Sequence, residues 1–215
     1  IDMDFPYNVY GGMQDFGTWK GPSTKKGRFP IRFEDWEHVR GGDGFYSQVD
    51  PTNNRWLYCE SQFGELARND QKTGERKPIR YRGNKDLRFN WSAPILISPY
   101  NPKLIYHGSN ILLKSSNMGE KWEEISPDLT KNDSSKNGGR ESRRYCTITT
   151  ISESHIQSGV IWVGTDDGLN RYDGFQNKVY RSDVFDESTI SGNRIWKIYV
   201  DSSNTVWILT DKGVC

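Results

Sequence analysis

Five short stretches recur along this chain of 215 residues, each placing an aliphatic-aromatic pair ahead of a small or polar run. They are Asn8–Asp15 (NVYGGMQD), Trp56–Phe63 (WLYCESQF), Leu104–Asn110 (LIYHGSN), Val160–Gly168 (VIWVGTDDG) and Thr205–Lys212 (TVWILTDK). Aligned on the aromatic they fall at Tyr10, Tyr58, Tyr106, Trp162 and Trp207, in steps of 48, 48, 56 and 45 residues. A repeat of this length marks propellers or solenoids, in which each unit cannot bury its apolar face alone and must stack on a neighbour.

The segments between the repeats fill in the unit. Phe45–Asp50 alternates as a strand, Pro51–Arg55 turns, Trp56–Phe63 returns, Glu65–Asp70 leads into the Gln71–Gly74 turn, and Glu75–Arg80 closes the unit. Four strands joined by hairpins make one propeller blade. Ala93–Ser98 (APILIS) is near-continuously apolar, as expected of an innermost strand buried on both faces. Tyr145–Ser152 and Arg194–Asp201 take the same place in later units. The expected fold class is all-β: one β-propeller domain over 1–215 of four-stranded antiparallel blades, about four to five in number. Its divisions are a partial blade (1–40), a blade (41–86), a blade (87–130) with an insertion (131–144), a blade (145–184) and a partial blade (185–215). The Gly21–Arg32 loop, basic and broken by Pro and Gly, is expected as a solvated excursion. Two closures are open. Arg194–Asp201 could complete the first blade, giving a four-blade ring with Thr205–Cys215 left over, or the chain could form an open arc whose apolar ends favour self-association.

Composition removes several functions. Lys and Arg number 29 against 28 Asp and Glu, so the chain lacks the basic excess that nucleic acid requires. No apolar run approaches the roughly 20 residues that span a bilayer, and Ile1–Tyr10 has neither the basic start nor the apolar core of a signal peptide. Cys59, Cys146 and Cys215 share no close spacing, which predicts free thiols rather than a zinc motif or a disulfide framework. His38, His107 and His155 sit at unlike positions of different units, so no metal site is expected, and no cofactor motif is present.

Residues 7–165 resemble a sortilin-type Asp-box propeller, the glycosidase-like BNR class. The resemblance rests on Val9–Asp15, Gly41–Phe45, Arg88–Trp91, Ser126–Thr130 and the turn Ser115–Trp122 (SSNMGEKW), which is similar to Ser-x-Asp-x-Gly-x-x-Trp with Asn117 in place of Asp. In that turn a short polar side chain folds onto the hairpin, Gly takes a positive φ, and Trp packs between blades. Phe16 departs from the pattern, where a polar turn residue is expected. Residues 161–215 resemble instead the two-component-regulator propeller repeat, through Ile161–Gly174 (IWVGTDDGLNRYDG), Asn193–Trp196 and Val206–Gly213. That repeat implies the periplasmic sensor half of a bacterial hybrid histidine kinase. The two styles meet on Val160–Gly168, which reads as a junction of two propeller types, the alternative being one divergent propeller using both.

Propeller ligands usually meet the loops entering the innermost strands. With Val49, Ile97, Ile151 and Val200 taken as equivalent, the residues six and seven earlier are Asp43, Trp91, Tyr145 and Arg194, then Gly42, Asn90, Arg144 and Asn193. Asp43, Asn90, Trp91, Arg144, Tyr145, Asn193 and Arg194 would form a rim that stacks on a sugar face and bonds hydroxyls or carboxylates. Against this stands the plain role of packing and capping between blades. A glycosidase needs paired carboxylates roughly 5–10 Å apart. Asp43 is the only acid among these positions, Asp15, Glu60, Asp166 and Asp167 being expected toward the opposite edge or in turns. No catalytic residue is assigned. The expected function is a non-enzymatic scaffold or recognition module for carbohydrate or peptide, extracellular or periplasmic. The alternatives are a fragment of a periplasmic glycan-sensing domain of a hybrid two-component regulator and an Asp-box glycoside hydrolase.

Overall fold

The computed structural model describes residues 1–83, 87–136 and 145–215. The fold is five antiparallel sheets following one another along the chain. The first holds β1 (Asn8–Met13), β2 (Gly17–Pro22) and β3 (Glu37–Arg40); the second β4 (Ser47–Val49), β5 (Trp56–Glu60), β6 (Leu66–Asp70) and β7 (Arg76–Pro78). The third holds β8 (Ile95–Ile97), β9 (Ile105–Gly108), β10 (Leu112–Ser115) and β11 (Glu123–Glu124), and the fourth β12 (Ile148–Glu153), β13 (Ile161–Thr165), β14 (Gly168–Tyr172) and β15 (Asn177–Tyr180). The last holds β16 (Ile195–Val200), β17 (Val206–Thr210) and β18 (Gly213–Val214). Among the described residues no helix is long and apolar enough to cross a membrane.

The sheets follow the blade plan, with strands in sequence order across each one. The four-blade closure does not form: β16 pairs with β17, not with the first sheet. A hairpin partner five residues away brings far less loop-closure entropy loss than one almost the whole chain away. The first strands β4, β8 and β12 touch in turn, and β12 touches β16. Tyr46, just before β4, reaches across the interior, its hydroxyl 3.4 Å from the Thr149 carbonyl and its ring 5.3 Å from Lys197 Nζ.

Each core lies between two sheets rather than inside one. The aromatic on the second strand, with its neighbours on that face, meets the aliphatic residues on the facing side of the next sheet. Tyr58 and Leu66 pack with Ile95, Ile97 and Ile105; Tyr106 and Leu112 with Ile161, Val163 and Tyr172; Leu169, with Trp162 and Tyr180 against it, with Ile198, Val200 and Ile208. Alternation along a strand makes this work, since residues one apart point to opposite faces and so to different neighbours.

The Ser115–Trp122 turn makes the bonds expected of its sequence. Ser115 Oγ accepts from Gly119 N at 2.9 Å, Asn117 Oδ1 accepts from Lys121 N at 2.9 Å, and Gly119 has φ +86. Trp122 reaches the preceding sheet, where Nε1–H donates to the Ile79 carbonyl at 2.6 Å. The Gly21–Arg32 loop is largely exposed, as expected, and the chain returns to the sheet beyond it. A 3-10 turn at Phe33–Asp35 and Trp36 bring Ile31, Phe33 and Trp36 back over the free face of the first sheet, with the Phe33 ring 5.3 Å from Trp19. Phe29, Ile31 and Phe33 stay exposed along with the basic residues of the loop. All three cysteines are free, Cys59 and Cys146 buried and Cys215 exposed.

Gly12 lies where β1 runs closest to the second sheet; a Cβ there would overlap the backbone of Gly44 and Phe45, whereas one on Gly11 meets nothing within 4 Å. Gly12→Ala is therefore expected to lower stability by about 1–3 kcal/mol, and Gly11→Ala to leave it within about 0.5 kcal/mol. Urea unfolding followed by far-UV circular dichroism would check this, and equal shifts for the two variants would contradict the close approach.

Candidate functional site

The hairpin turns after the second strands and the loops entering the first strands lie on one edge of the fold. The end of an antiparallel second strand returns to the edge where its first strand began. Asp15 N donates to Asp43 Oδ1 at 2.8 Å, Ala93 N to Glu60 Oε1 at 3.1 Å, and Cys146 N to Asp166 Oδ1 at 3.1 Å. Asp15, Glu60 and Asp166 thus belong to the same edge as Asp43: Asp15 and Asp166 lie in turns, as one of the two expectations had it, and the opposite edge is ruled out for all three. Asp167 pairs there with Arg181 at 2.9 Å.

Register also corrects the equivalence of the first strands. Tyr58, Tyr106, Trp162 and Trp207 stand opposite Gln48, Leu96, Ser152 and Tyr199. The equivalent of Val49, Ile97 and Val200 is therefore Glu153, not Ile151. A buried acid, whose Oε1 accepts from Gly159 N at 2.8 Å, fills a slot that is aliphatic elsewhere, and this hides the alignment from an apolar pattern. The position six earlier is then Thr147, two residues beyond Tyr145.

The predicted rim residues divide into two sets. Asp43 is buried and accepts from the preceding turn at Asp15. Asn90 Nδ2 donates to Thr147 Oγ1 at 2.9 Å, joining the third sheet to the fourth. The Trp91 ring meets Phe63 and Phe45 edge-on, at 5.0 and 6.4 Å, and its carbonyl accepts from Phe63 N at 3.2 Å. Asn193 accepts from Ser182 N through its side chain and from Gly168 N through its carbonyl, both at 2.7 Å. These four connect blades. Arg194 and Tyr145 are brought together differently. The guanidinium lies 5.5 Å from the Tyr145 ring and 5.9 Å from the exposed Trp196, and among the described residues it forms no ion pair. Lys136 Nζ lies 5.4 Å from the same Tyr145 ring. Trp196 belongs to the Asn193–Trp196 repeat stretch but was not among the rim positions, and nothing in the repeat pattern marks Lys136, which enters the group only through folding. Arg144 lies outside the described residues.

Glu60 is the second feature of this edge. It follows Tyr58 by two residues, where the other complete hairpins carry Gly12, Gly108 and Gly164. A Cβ on Gly108 or Gly164 would press on Ile148 or Ile195 of the next first strand, at 2.8 and 2.6 Å. In the next strand after Glu60 the corresponding residue is Ala93, and the smaller side chain leaves room for the larger one. The carboxyl is fully buried; Oε1 accepts from Gly64 N and Ala93 N, and Oε2 has no partner among the described residues. Burial pushes it up to about 9 against the pull of those N–H groups, so it is neutral at pH 7. Close by, His107 stacks on Phe89 at 5.2 Å and donates from Nδ1 to the Pro94 carbonyl at 3.1 Å, and burial pushes it down to about 4.

Comparison with known proteins defines the class. Residues 189–212, spanning β16 and β17, match the two component regulator propeller family. The fold is similar to the extracellular domain of the putative one component system BT4673 from B. thetaiotaomicron, with TM-score 0.71 and 15% identity over 99% of this chain and 26% of that one. A second structure of that domain, described as a putative hybrid two component system, gives 0.70 at 14% identity, over 99% of this chain and 26% of that one. The GH74 enzyme of Niastella koreensis gives 0.60 at 13% identity, over 96% of this chain and 32% of that one. The Cps50 (Swd1) β-propeller domain of Myceliophteria thermophila gives 0.59 at 14%, over 93% and 58%. The chain spans about a quarter of the length of the first of these. No curated protein matches it in sequence. The chain thus has a β-propeller fold, and a segment in its last sheet matches the two component regulator propeller family.

The two buried groups make opposite demands on pH. The folded state keeps Glu60 protonated, so its stabilising contribution is whole below about 4.5 and is lost as pH rises to about 9. His107 is neutral in the fold, so its contribution is whole above about 6.5 and is lost as pH falls to about 4. Between pH 6.5 and 9 only the Glu60 contribution changes, by at most about 1.4 kcal/mol per pH unit. Glu60→Gln keeps an acceptor for both N–H groups and removes the titration. Calorimetric melting across this range should show wild type falling relative to Glu60→Gln as pH rises; parallel curves would refute a neutral buried carboxyl.

Proposed function

We propose that this chain is part of a ligand-recognising propeller in the extracellular or periplasmic half of a hybrid two-component regulator, acting without catalysis. The match at 189–212 and the likeness in fold to extracellular domains so described support this reading. The bound molecule would be a carbohydrate fragment or a peptide, held at the edge where hairpin turns and entry loops converge. The observation that carries the site is the Arg194 guanidinium between the Tyr145 and Trp196 rings, without an acidic partner among the described residues. Such a group offers a stacking face and a planar fork of donors together, which suits a sugar ring bearing hydroxyl or carboxylate groups.

In this reading the rim has a supporting layer and a contacting layer. Asp43, Asn90, Trp91 and Asn193 hold adjacent blades, while Tyr145 and Arg194 touch the ligand. The Asp-box turn and the change of repeat style near Val160–Gly168 are features of scaffold and ancestry, and neither selects a ligand. A hydrolase would require two carboxylates free to act, and Asp43 is buried with one oxygen committed to Asp15 N.

A glycan array printed with neutral and acidic oligosaccharides, followed by calorimetry on any hit, tests this. Arg194→Ala should weaken binding by about 10-fold or more, the usual loss for a charge-assisted hydrogen bond, with melting unchanged. Asp43→Ala should lower the melting temperature instead. Binding that survives Arg194→Ala and Tyr145→Ala would remove the site, and hydrolysis of a chromogenic glycoside would remove the non-catalytic assignment.

A further inference from the structure

The Asp-box turn plays no part at the rim, but it forms one wall of a second recess, on the outer edge between the second and third sheets. The other wall is the stretch Glu75–Gly83 (ERKPIRYRG), which runs through β7 and carries four cations and one acid in nine residues. A basic run on an outer strand ordinarily keeps that edge from pairing with another chain. This run also faces a built surface. Both sheets have neighbours on either side, β4 touching β1 and β8, and β8 touching β4 and β12.

Between the two walls lies a groove of about 430 Å³, lined by Lys77, Arg80, Tyr81, Arg82, Lys121 and Trp122 among others. The walls are fixed against each other. A Cβ on Gly119 would come within 2.5 Å of Ile79 Cδ1, and Trp122 Nε1–H donates to the Ile79 carbonyl. Glu120 accepts from both Lys77, at 2.5 Å, and Arg68, at 2.8 Å. The Tyr81 hydroxyl donates to Glu124, so both aromatic rings are anchored at their polar ends and sit half-buried in the wall. Arg80 pairs with Glu65 and Lys77 with Glu120, whereas Arg82 and Lys121, both exposed, form no ion pair among the described residues. Two uncommitted cations therefore share one groove with two fixed aromatic rings.

The edge itself is closed to an added strand. β7 is three residues long, Pro78 has no N–H to offer, and the Ile79 carbonyl is taken by Trp122. An extended peptide would find no ladder there, and what remains for recognition is the rings and the cations. Aromatic faces stack on sugar rings, and cations bond their acidic groups. We propose that this groove binds an acidic oligosaccharide, a sugar ring lying against Tyr81 or Trp122 and its carboxylate or sulfate groups meeting Arg82 and Lys121. The site is separate from the rim and does not rest on Arg194 as a ligand contact.

Calorimetric titration of the full chain with three tetrasaccharides tests this: one of galacturonic acid, one sulfated on each sugar, and neutral maltotetraose. At least one acidic tetrasaccharide should bind and the neutral one should not, and the acidic one preferred tells carboxylate from sulfate. Affinity should fall as salt rises from about 50 to about 500 mM, because exposed charges are screened. Arg82→Gln combined with Lys121→Gln should raise Kd about 10-fold or more with melting unchanged, both side chains being exposed. Arg194→Ala should leave this Kd unchanged. The proposal is overturned if neither acidic tetrasaccharide binds at low salt, if the neutral one binds as well, or if the double variant keeps wild-type affinity. Loss of binding in Arg194→Ala would move the anion to the rim, and a tetraglutamate peptide that binds more tightly than either acidic sugar would make the groove a peptide site; each of these results also overturns it.

Discussion

The approach of one second strand to the first strand of the next blade governs this fold. Its closeness is set by what stands two residues after the repeat aromatic. Where that residue is Gly108 or Gly164, Ile148 or Ile195 moves into the space; where it is Glu60, Ala93 faces it. The volume across the contact is conserved while its chemistry is not, as close packing demands. The same edge carries main-chain bonds between adjacent blades: Gly44 N to the Met13 carbonyl, Phe63 N to that of Trp91, Ile148 N to that of Ser109 and Gly168 N to that of Asn193, at 2.7–3.2 Å. Packing and hydrogen bonding thus agree on one spacing for every pair of blades.

Much of this architecture is legible from residue order. The aromatic period gives the units, alternation gives the strands, and the turn residues give their limits, because each is a local requirement met within a few residues. Closure was not legible: the sequence supplies a strand at Ile195–Val200 but does not say which edge it joins. The rim was half legible. Counting back from aliphatic residues fails in the fourth sheet because Glu153 occupies the aliphatic slot, and the true counterpart of Asp43, Trp91 and Arg194 is Thr147 rather than Tyr145. The meeting of Tyr145 with Arg194 depends on how the entry loops fold, and Lys136 joins it from a segment that carries no repeat at all. Glu60 had a signal in the sequence, the replacement of Gly by an acid in an otherwise regular position.

Why a blade interface would keep a buried neutral acid is a question of alternatives. Gly at this position would remove the acceptor that Oε1 provides, leaving Gly64 N and Ala93 N buried without partners. Unsatisfied buried donors are more costly than a protonated carboxyl that serves them. Phe63 at φ +57 and Gly64 at φ +73 make the turn that presents Gly64 N to the carboxyl, so the side chain and the turn require each other. Glu60 thus adds a side-chain acceptor at a junction that the Phe63 N–Trp91 carbonyl bond already joins through the main chain.

The division of labour on the rim follows from this. Side chains whose polar atoms are committed to neighbouring blades cannot also bind a ligand without weakening the junction they hold. Asp43, Asn90 and Asn193 are in that position. In the proposed site, recognition would fall to groups held by packing alone, and a cation over an aromatic face is such a group: the attraction fixes its location while its N–H donors stay available. Arg194 meets both conditions beside Tyr145 and Trp196, on the loop that leads into the sheet bearing the regulator-type repeat. A ligand that engages Arg194 would act directly on that sheet, whose far face carries Trp207 and Leu209.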